Sequence, residues 1–324
     1  MNSDRKTRTL KIYAMRTLPA RLLKRSVYAC LLLGCCVACG EEENTRSLTV
    51  EKYRPLAVGT VSLDGDEVPG RAVLGNGESI GVFAINGTGV SSYTDCYNVE
   101  YSSDGTKWTH STTPIMLGNE NAAISAWHPF TNGAARNGTV MSVVSQMYKV
   151  SADVSYAKSQ NRNSTSTTMA TVSFSMVRAY SQIAFELNRA STYVGDFKLT
   201  KIGIKNPGII GGCSLDIATG VYSSWTANPD FSYIPGGSGI GGAKETRLTS
   251  EVLMAPPASA PTGKFTISLT IDGKESTVDI NALPLVAGTK YKVSIKVEGS
   301  NKITVSQVTV ENWLEVPITP EYPL

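Results

Sequence analysis

Apolar side chains recur at every second position in one short run after another of this chain, and turn-forming residues separate the runs. A side-chain period of two belongs to a β-strand with one buried face, so the pattern commits the chain to sheets. Ser79-Ile-Gly-Val-Phe-Ala-Ile85 is a short apolar strand before an Asn86-Gly87 turn. Residues 97–101 and Lys107-Trp108-Thr109 flank Asp104-Gly105, while residues 264–271 and 276–280 flank Asp272-Gly273. Both pairs read as hairpins closed by the residues such loops favour. Residues 121–130, 139–150, 171–176, 182–187, 197–204, 290–297 and 302–310 are further strands. No segment sustains an amphipathic helix for more than about three turns. The fold expected is all-β, with antiparallel sandwiches.

The polar tract Lys158-Ser-Gln-Asn-Arg-Asn-Ser-Thr-Ser-Thr-Thr168 has almost nothing to bury and reads as a linker. It divides the chain into an N-terminal β-sandwich at 72–157 and a C-terminal one at 169–324. The Gly- and Pro-rich stretch 228–244 is expected to be a surface loop of the second domain.

The first part of the chain obeys a different rule. Arg16, Arg21, Lys24 and Arg25 precede the apolar run Val27-Tyr-Ala-Cys-Leu-Leu-Leu-Gly-Cys-Cys-Val-Ala-Cys39. A basic lead-in, a short apolar run and a small residue before cysteine describe an export signal. The run is shorter than the roughly 20 residues a membrane span needs. Residues 1–38 are therefore read as a lipoprotein signal peptide, with Met15 the better start. A lipid on the thiol anchors the following domains to a membrane while leaving them in water. Cys39, followed by Gly40-Glu41-Glu42-Glu43, is the favoured acceptor; Cys35, in Leu32-Leu33-Gly34-Cys35, is the alternative.

Removing that segment reverses the charge balance. The whole chain carries 30 basic and 27 acidic residues, and without residues 1–38 it carries 22 against 26, a net charge of −4. No basic patch remains to favour nucleic acid. Cys96 and Cys213, distant in sequence, read as two small buried thiols rather than a disulfide. The sequence shows no catalytic constellation and implies no cofactor. His110 and His128 lack the ligand neighbours of a zinc site, and His128 fits aromatic packing in Ala126-Trp-His-Pro-Phe130. Gly237-Ser-Gly-Ile-Gly-Gly242 matches a dinucleotide-loop spacing, yet no helix pattern follows it. Asp64-Gly-Asp-Glu67 is an acidic turn lacking the further ligands of a calcium loop.

Taken in order, the segments resemble the fimbrillin family, the Bacteroidales pilus subunits exported as outer-membrane lipoproteins. Arg71-Ala72 with Gly77-Glu78-Ser79-Ile80-Gly81-Val82-Phe83 is similar to the family's opening motif, with Ser79 where Asp is usual and no Thr before the arginine. Ser125–Phe130, Asp153-Val-Ser-Tyr-Ala157, Val172-Ser-Phe174 with Ile183-Ala-Phe185, Ala287-Gly-Thr-Lys-Tyr291 and Glu311-Asn-Trp313 carry the rest.

The resemblance implies two tandem transthyretin-like antiparallel β-sandwich domains and a non-enzymatic, structural role in a cell-surface fimbria that supports adhesion. It also implies a palmitate-type lipid anchor in the outer membrane and cleavage by an arginine-specific surface protease, with other fimbrial subunits as partners. On that reading residues 39–71 are a pro-segment, Arg71-Ala72 is the scissile bond and Arg46 its rival. Leu56, Val58, Val61 and Leu63 belong to a removable strand whose groove a neighbouring subunit fills. The competing function is a monomeric surface lipoprotein that binds glycan or a host ligand through Trp108, Tyr222 and Trp225.

Overall fold

The computed structural model describes residues 53–63, 73–86, 95–133, 138–299, 302–311 and 313. Twenty-one strands run through the described residues. The first nine are β1 (Arg54–Pro55), β2 (Ala57–Leu63), β3 (Ser79–Asn86), β4 (Cys96–Ser103), β5 (Trp108–His110), β6 (Met116–Leu117), β7 (Ala122–His128), β8 (Val140–Val144) and β9 (Gln146–Met147). β10 (Ser155–Arg162), β11 (Thr171–Arg178), β12 (Ser181–Arg189), β13 (Leu199–Lys205), β14 (Ile210–Asp216) and β15 (Val221–Ala227) follow. The last are β16 (Asp230–Tyr233), β17 (Arg247–Met254), β18 (Lys264–Ile271), β19 (Lys274–Asn281), β20 (Lys290–Gly299) and β21 (Lys302–Glu311).

The C-terminal strands build a sandwich. A five-stranded sheet ordered β21-β20-β12-β17-β9 faces a four-stranded sheet ordered β16-β13-β18-β19. Phe185, Leu187, Val293 and Ile295 from the first interleave with Ile202, Phe265, Ile267 and Leu269 from the second, all essentially without solvent contact. The hairpin β18–β19 closes through Asp272-Gly273, both with positive φ, as a two-residue loop requires.

The N-terminal strands form a seven-stranded sheet ordered β2-β11-β10-β7-β3-β4-β5. Val61 of β2 and Trp108 of β5 lie on strands at opposite edges yet pack into one core with Val82, Ile124 and Phe174. The sheet therefore curls around that core. Its other face carries Phe83, Trp127 and Tyr156, which pack against Met141, Val143, Cys213 and Leu215 of a three-stranded sheet, β15-β14-β8.

Two sequence expectations change here. The tract expected to be a linker is strand as far as Arg162, pairing Gln160, Asn161 and Arg162 of β10 with Ile124, Ala123 and Ala122 of β7. Its polarity reflects side chains that are exposed or half-buried on a strand paired to β7. Beyond it, Ser164 is buried and hydrogen-bonded to Gly118 and Asn119. β11 then returns to the N-terminal sheet between β10 and β2 instead of opening the C-terminal domain. The stretch 228–244 likewise contains strand β16, paired with β13.

The segment read as one strand over 139–150 is two short strands that leave the N-terminal sheet. β8 pairs with β14 and β9 with β17. Ser145 between them donates to Ile210 O at 2.8 Å and accepts from Ala255 N–H at 3.0 Å. Tyr180 Oη accepts from Val144 N–H and Gln146 Nε2, both at 3.3 Å.

Candidate strand-exchange groove

β2 sits at one end of the seven-stranded sheet, with β11 as its strand neighbour, and the two run parallel. Leu56, Val58 and Val61 turn into the core and are 3%, 8% and 0% exposed, while Leu63 packs on it partly buried. Burying three such side chains stabilises the strand by roughly 5–8 kcal/mol before chain entropy is charged against it. Their neighbours on β11 are Val172, Phe174 and Met176, all essentially without solvent contact. The two sets of side chains thus share one apolar core.

Backbone contacts hold the entry to the groove. Leu56 N–H donates to Ile115 O at 2.8 Å and Ala57 N–H to Ala170 O at 2.9 Å. Tyr101 Oη donates to Leu56 O at 3.3 Å, and burial pushes that phenol up to about 12. At the far end Leu74 N–H donates to Val61 O at 2.9 Å, and Ser62 pairs antiparallel with Val73. The chain therefore leaves β2 and comes back against it within ten residues.

The parallel ladder is not regular. Val58 pairs with Val172 and Val61 with Phe174, so Gly59 and Thr60 together oppose Ser173 alone. Thr60 N–H donates to Ser173 Oγ at 3.2 Å. A bulge of this kind shifts the side-chain alternation by one and returns Val61 to the core side.

The expected lipidation residues Cys39 and Cys35 and the expected cleavage residues Arg71, Ala72 and Arg46 lie outside the described residues, as does the acidic turn 64–67. Of the aromatics weighed for ligand binding, Trp108 packs on the N-terminal core and Tyr222 donates to Ala179 O at 2.9 Å. Trp225 is 41% exposed, with its indole N–H donating to Pro256 O at 3.1 Å. Each of the three thus has a structural contact of its own, Tyr222 and Trp225 both on β15. His128 Nε2 lies 2.8 Å from Glu78 Oε2 and His110 Nδ1 lies 2.8 Å from Thr112 O. Among the described residues no cluster of three or more potential metal ligands occurs. Cys96 is half-buried and Cys213 buried, and burial pushes the Cys213 thiol up to about 11.

A second set of contacts escaped sequence reasoning. Arg178, the last residue of β11, forms a buried ion pair with Asp153 and stacks over the Trp313 ring at 4.6 Å. The strand that holds β2 thus also anchors the backbone just after β21. Nothing local in the sequence signals this contact, since its members are 25 and 135 residues apart.

The family described as fimbrillin-like matches residues 69–313. That span is most of the chain. The protein belongs to the fimbrillin-like family. Among solved structures, a candidate cell adhesion protein from Bacteroides ovatus ATCC 8483 aligns with a TM-score of 0.61 at 16% identity, over 82% of this chain and 99% of that one. Another from Bacteroides uniformis ATCC 8492 aligns with a TM-score of 0.57 at 19% identity, over 80% and 99%. At these identities they establish a shared fold. A fimbrial protein from Bacteroides vulgatus ATCC 8482 aligns with a TM-score of 0.42 at 15% identity, over 79% and 99%. No curated protein matches the chain. Membership in this family implies a fimbrial protein of the cell surface.

Proposed function

We propose that this fimbrillin-like chain is a structural pilus subunit that polymerises by strand exchange. It is delivered as an outer-membrane lipoprotein through Cys39, or Cys35 in its place. An arginine-specific surface protease then cuts at Arg71-Ala72, and β2 leaves. The supporting observation is the position of β2: an edge strand, parallel to β11, with Val58, Val61 and the preceding Leu56 in the core and a chain connection that includes Arg71. Cutting there leaves β2 held by its ladder to β11, by the short backbone contacts at Leu56, Ala57, Val61 and Ser62, and by its apolar side chains. Its loss exposes the unpaired edge of β11 and the apolar strip of Val172, Phe174 and Met176. An open edge of this kind is completed by a strand from another chain, whose backbone satisfies the ladder and whose alternate side chains fill the vacated space. The two tandem transthyretin-like domains are part of this proposal, with the boundary moved from the polar tract to the end of β11.

The test is limited digestion of the folded precursor with an arginine-specific protease, followed by N-terminal sequencing and electron microscopy. Release of residues up to Arg71 is the expected result, with ladders of oligomer once a subunit carrying a fitting donor strand is added. The Arg71→Ala chain should keep its fold and stay monomeric. Fibres of normal length from that variant, or a cut product that remains monomeric and binds polysaccharide, would overturn the assignment.

A further inference from the structure

We infer that Ser173 sets the register of any strand lying in the β2 groove, and that the groove selects segments carrying a glycine opposite its hydroxyl. The inference rests on reading β2 as exchangeable and says what may replace it. A methyl group built on Gly59 would stand 2.8 Å from Ser173 Oγ, closer than such contacts occur. The backbone at Gly59 is not left-handed, so close approach and not conformation calls for glycine there. Rotating the hydroxyl away relieves the contact but abandons the Thr60 N–H at the bulge.

The bulge also dictates apolar spacing. Leu56 and Val58 are two residues apart, Val58 and Val61 three, and Val61 and Leu63 two. A strand of uniform period two satisfies the pockets on one side of Ser173 and turns its side chains outward on the other. The partner that fits is an extended segment with apolar residues spaced two, three and two, and glycine first within the longer step. The C-terminal stretch Leu314, Val316, Ile318 is spaced by two throughout and contains no glycine up to Leu324. A tail of that sequence from a second copy is therefore a poor match to the register β2 uses.

Two arms test this. In the uncut full chain, Gly59→Val should lower hydrogen-exchange protection across β2 by about tenfold or more, and adding Ser173→Ala should restore most of it. Unchanged protection in Gly59→Val, or no recovery in the double variant, overturns the role of Ser173. In the second arm, the chain is nicked through a protease site inserted within 64–72. A labelled peptide of residues 53–66 then competes with its Gly59→Val form, its Gly59-deleted form and a peptide of residues 314–324. The native peptide should bind about tenfold or more tightly than each, since an unfilled valine pocket is worth at least that factor. Equal binding by the deleted form or the tail peptide refutes the spacing rule. If the native peptide itself does not exchange, the exchangeable-strand reading fails, while the first arm still decides what Ser173 does.

Discussion

The described residues contain two parallel strand pairs, and they stand in opposite settings. β12 and β20 pair over eight consecutive residues without interruption, and each has a second neighbour, β17 and β21 respectively. β2 and β11 pair over a bulged register, and β2 has no strand neighbour on its other side among the described residues. Parallel pairing is slightly weaker per residue than antiparallel, so its cost depends on what surrounds it. In the C-terminal sandwich the pair is the middle of the sheet, and its loss would open the core of Phe185, Val293 and Ile295. At the N-terminal edge the same kind of pairing attaches one strand whose departure leaves β11 still bound to β10. A shared hydrogen-bond pattern therefore lies in the middle of one sheet and at the edge of the other.

The sharpest way to break that contrast is Phe185→Ala. Removing a fully buried phenylalanine from the central strand should cost about 3–5 kcal/mol and shift the whole denaturant transition. A shift confined to local exchange would show that β12 is no more integral than β2. Next in size, Asp153→Ala leaves Arg178 buried without its carboxylate and should cost about 3 kcal/mol. Trp313 lies against that guanidinium, so its fluorescence should change with the variant. An unaltered spectrum would mean the anchor after β21 is independent of β11.

Val61→Ala is expected to cost about 2 kcal/mol. The loss should fall on exchange protection of β2 and its β11 partner while that of β12 and β20 is preserved. Equal loss in both regions would erase the distinction between them.

The smallest effect is acidic. Burial alone pulls the Asp272 carboxyl upward, but the Tyr193 hydroxyl at 2.6 Å and the Lys198 and Phe197 N–H groups outweigh it and hold it below its usual value. A lowered folded-state value gives stability that is present above the unfolded carboxyl range and is lost as pH falls through the folded value. The C-terminal sandwich should therefore weaken below about pH 4, and Asp272→Asn should flatten that part of the curve. A curve of identical shape in the variant would remove Asp272 from the account.

The legible parts of this fold are the ones decided by neighbours in sequence. Asp272-Gly273 closes β18 on β19 as its residue types demand, and Asp104 accepts from Thr106 and Lys107 in the turn before β5. The short apolar strands β3, β7, β12 and β20 stand where the period placed them. The polar tract misled because a strand can be polar when its backbone pairs with a neighbour and its side chains face water. β14, β15 and β17 went unread, and so did the exit of β8 from its own half, since its partner lies some 70 residues away on β14. In the groove, Leu56, Val58, Val61 and Leu63 were readable as one strand, and a glycine within it was the available sign of the bulge.

Local chemistry alone thus settles that this chain is made of strands, which side of each is apolar, and where its tight hairpins turn. It does so because pleat and turn geometry act over a few residues. Tertiary structure decided that β2 lies parallel at an edge, that Ser173 stands against Gly59, and that Arg178 joins Asp153 to Trp313. Those arrangements depend on which strands become neighbours, and that choice is made by burial summed over the whole chain.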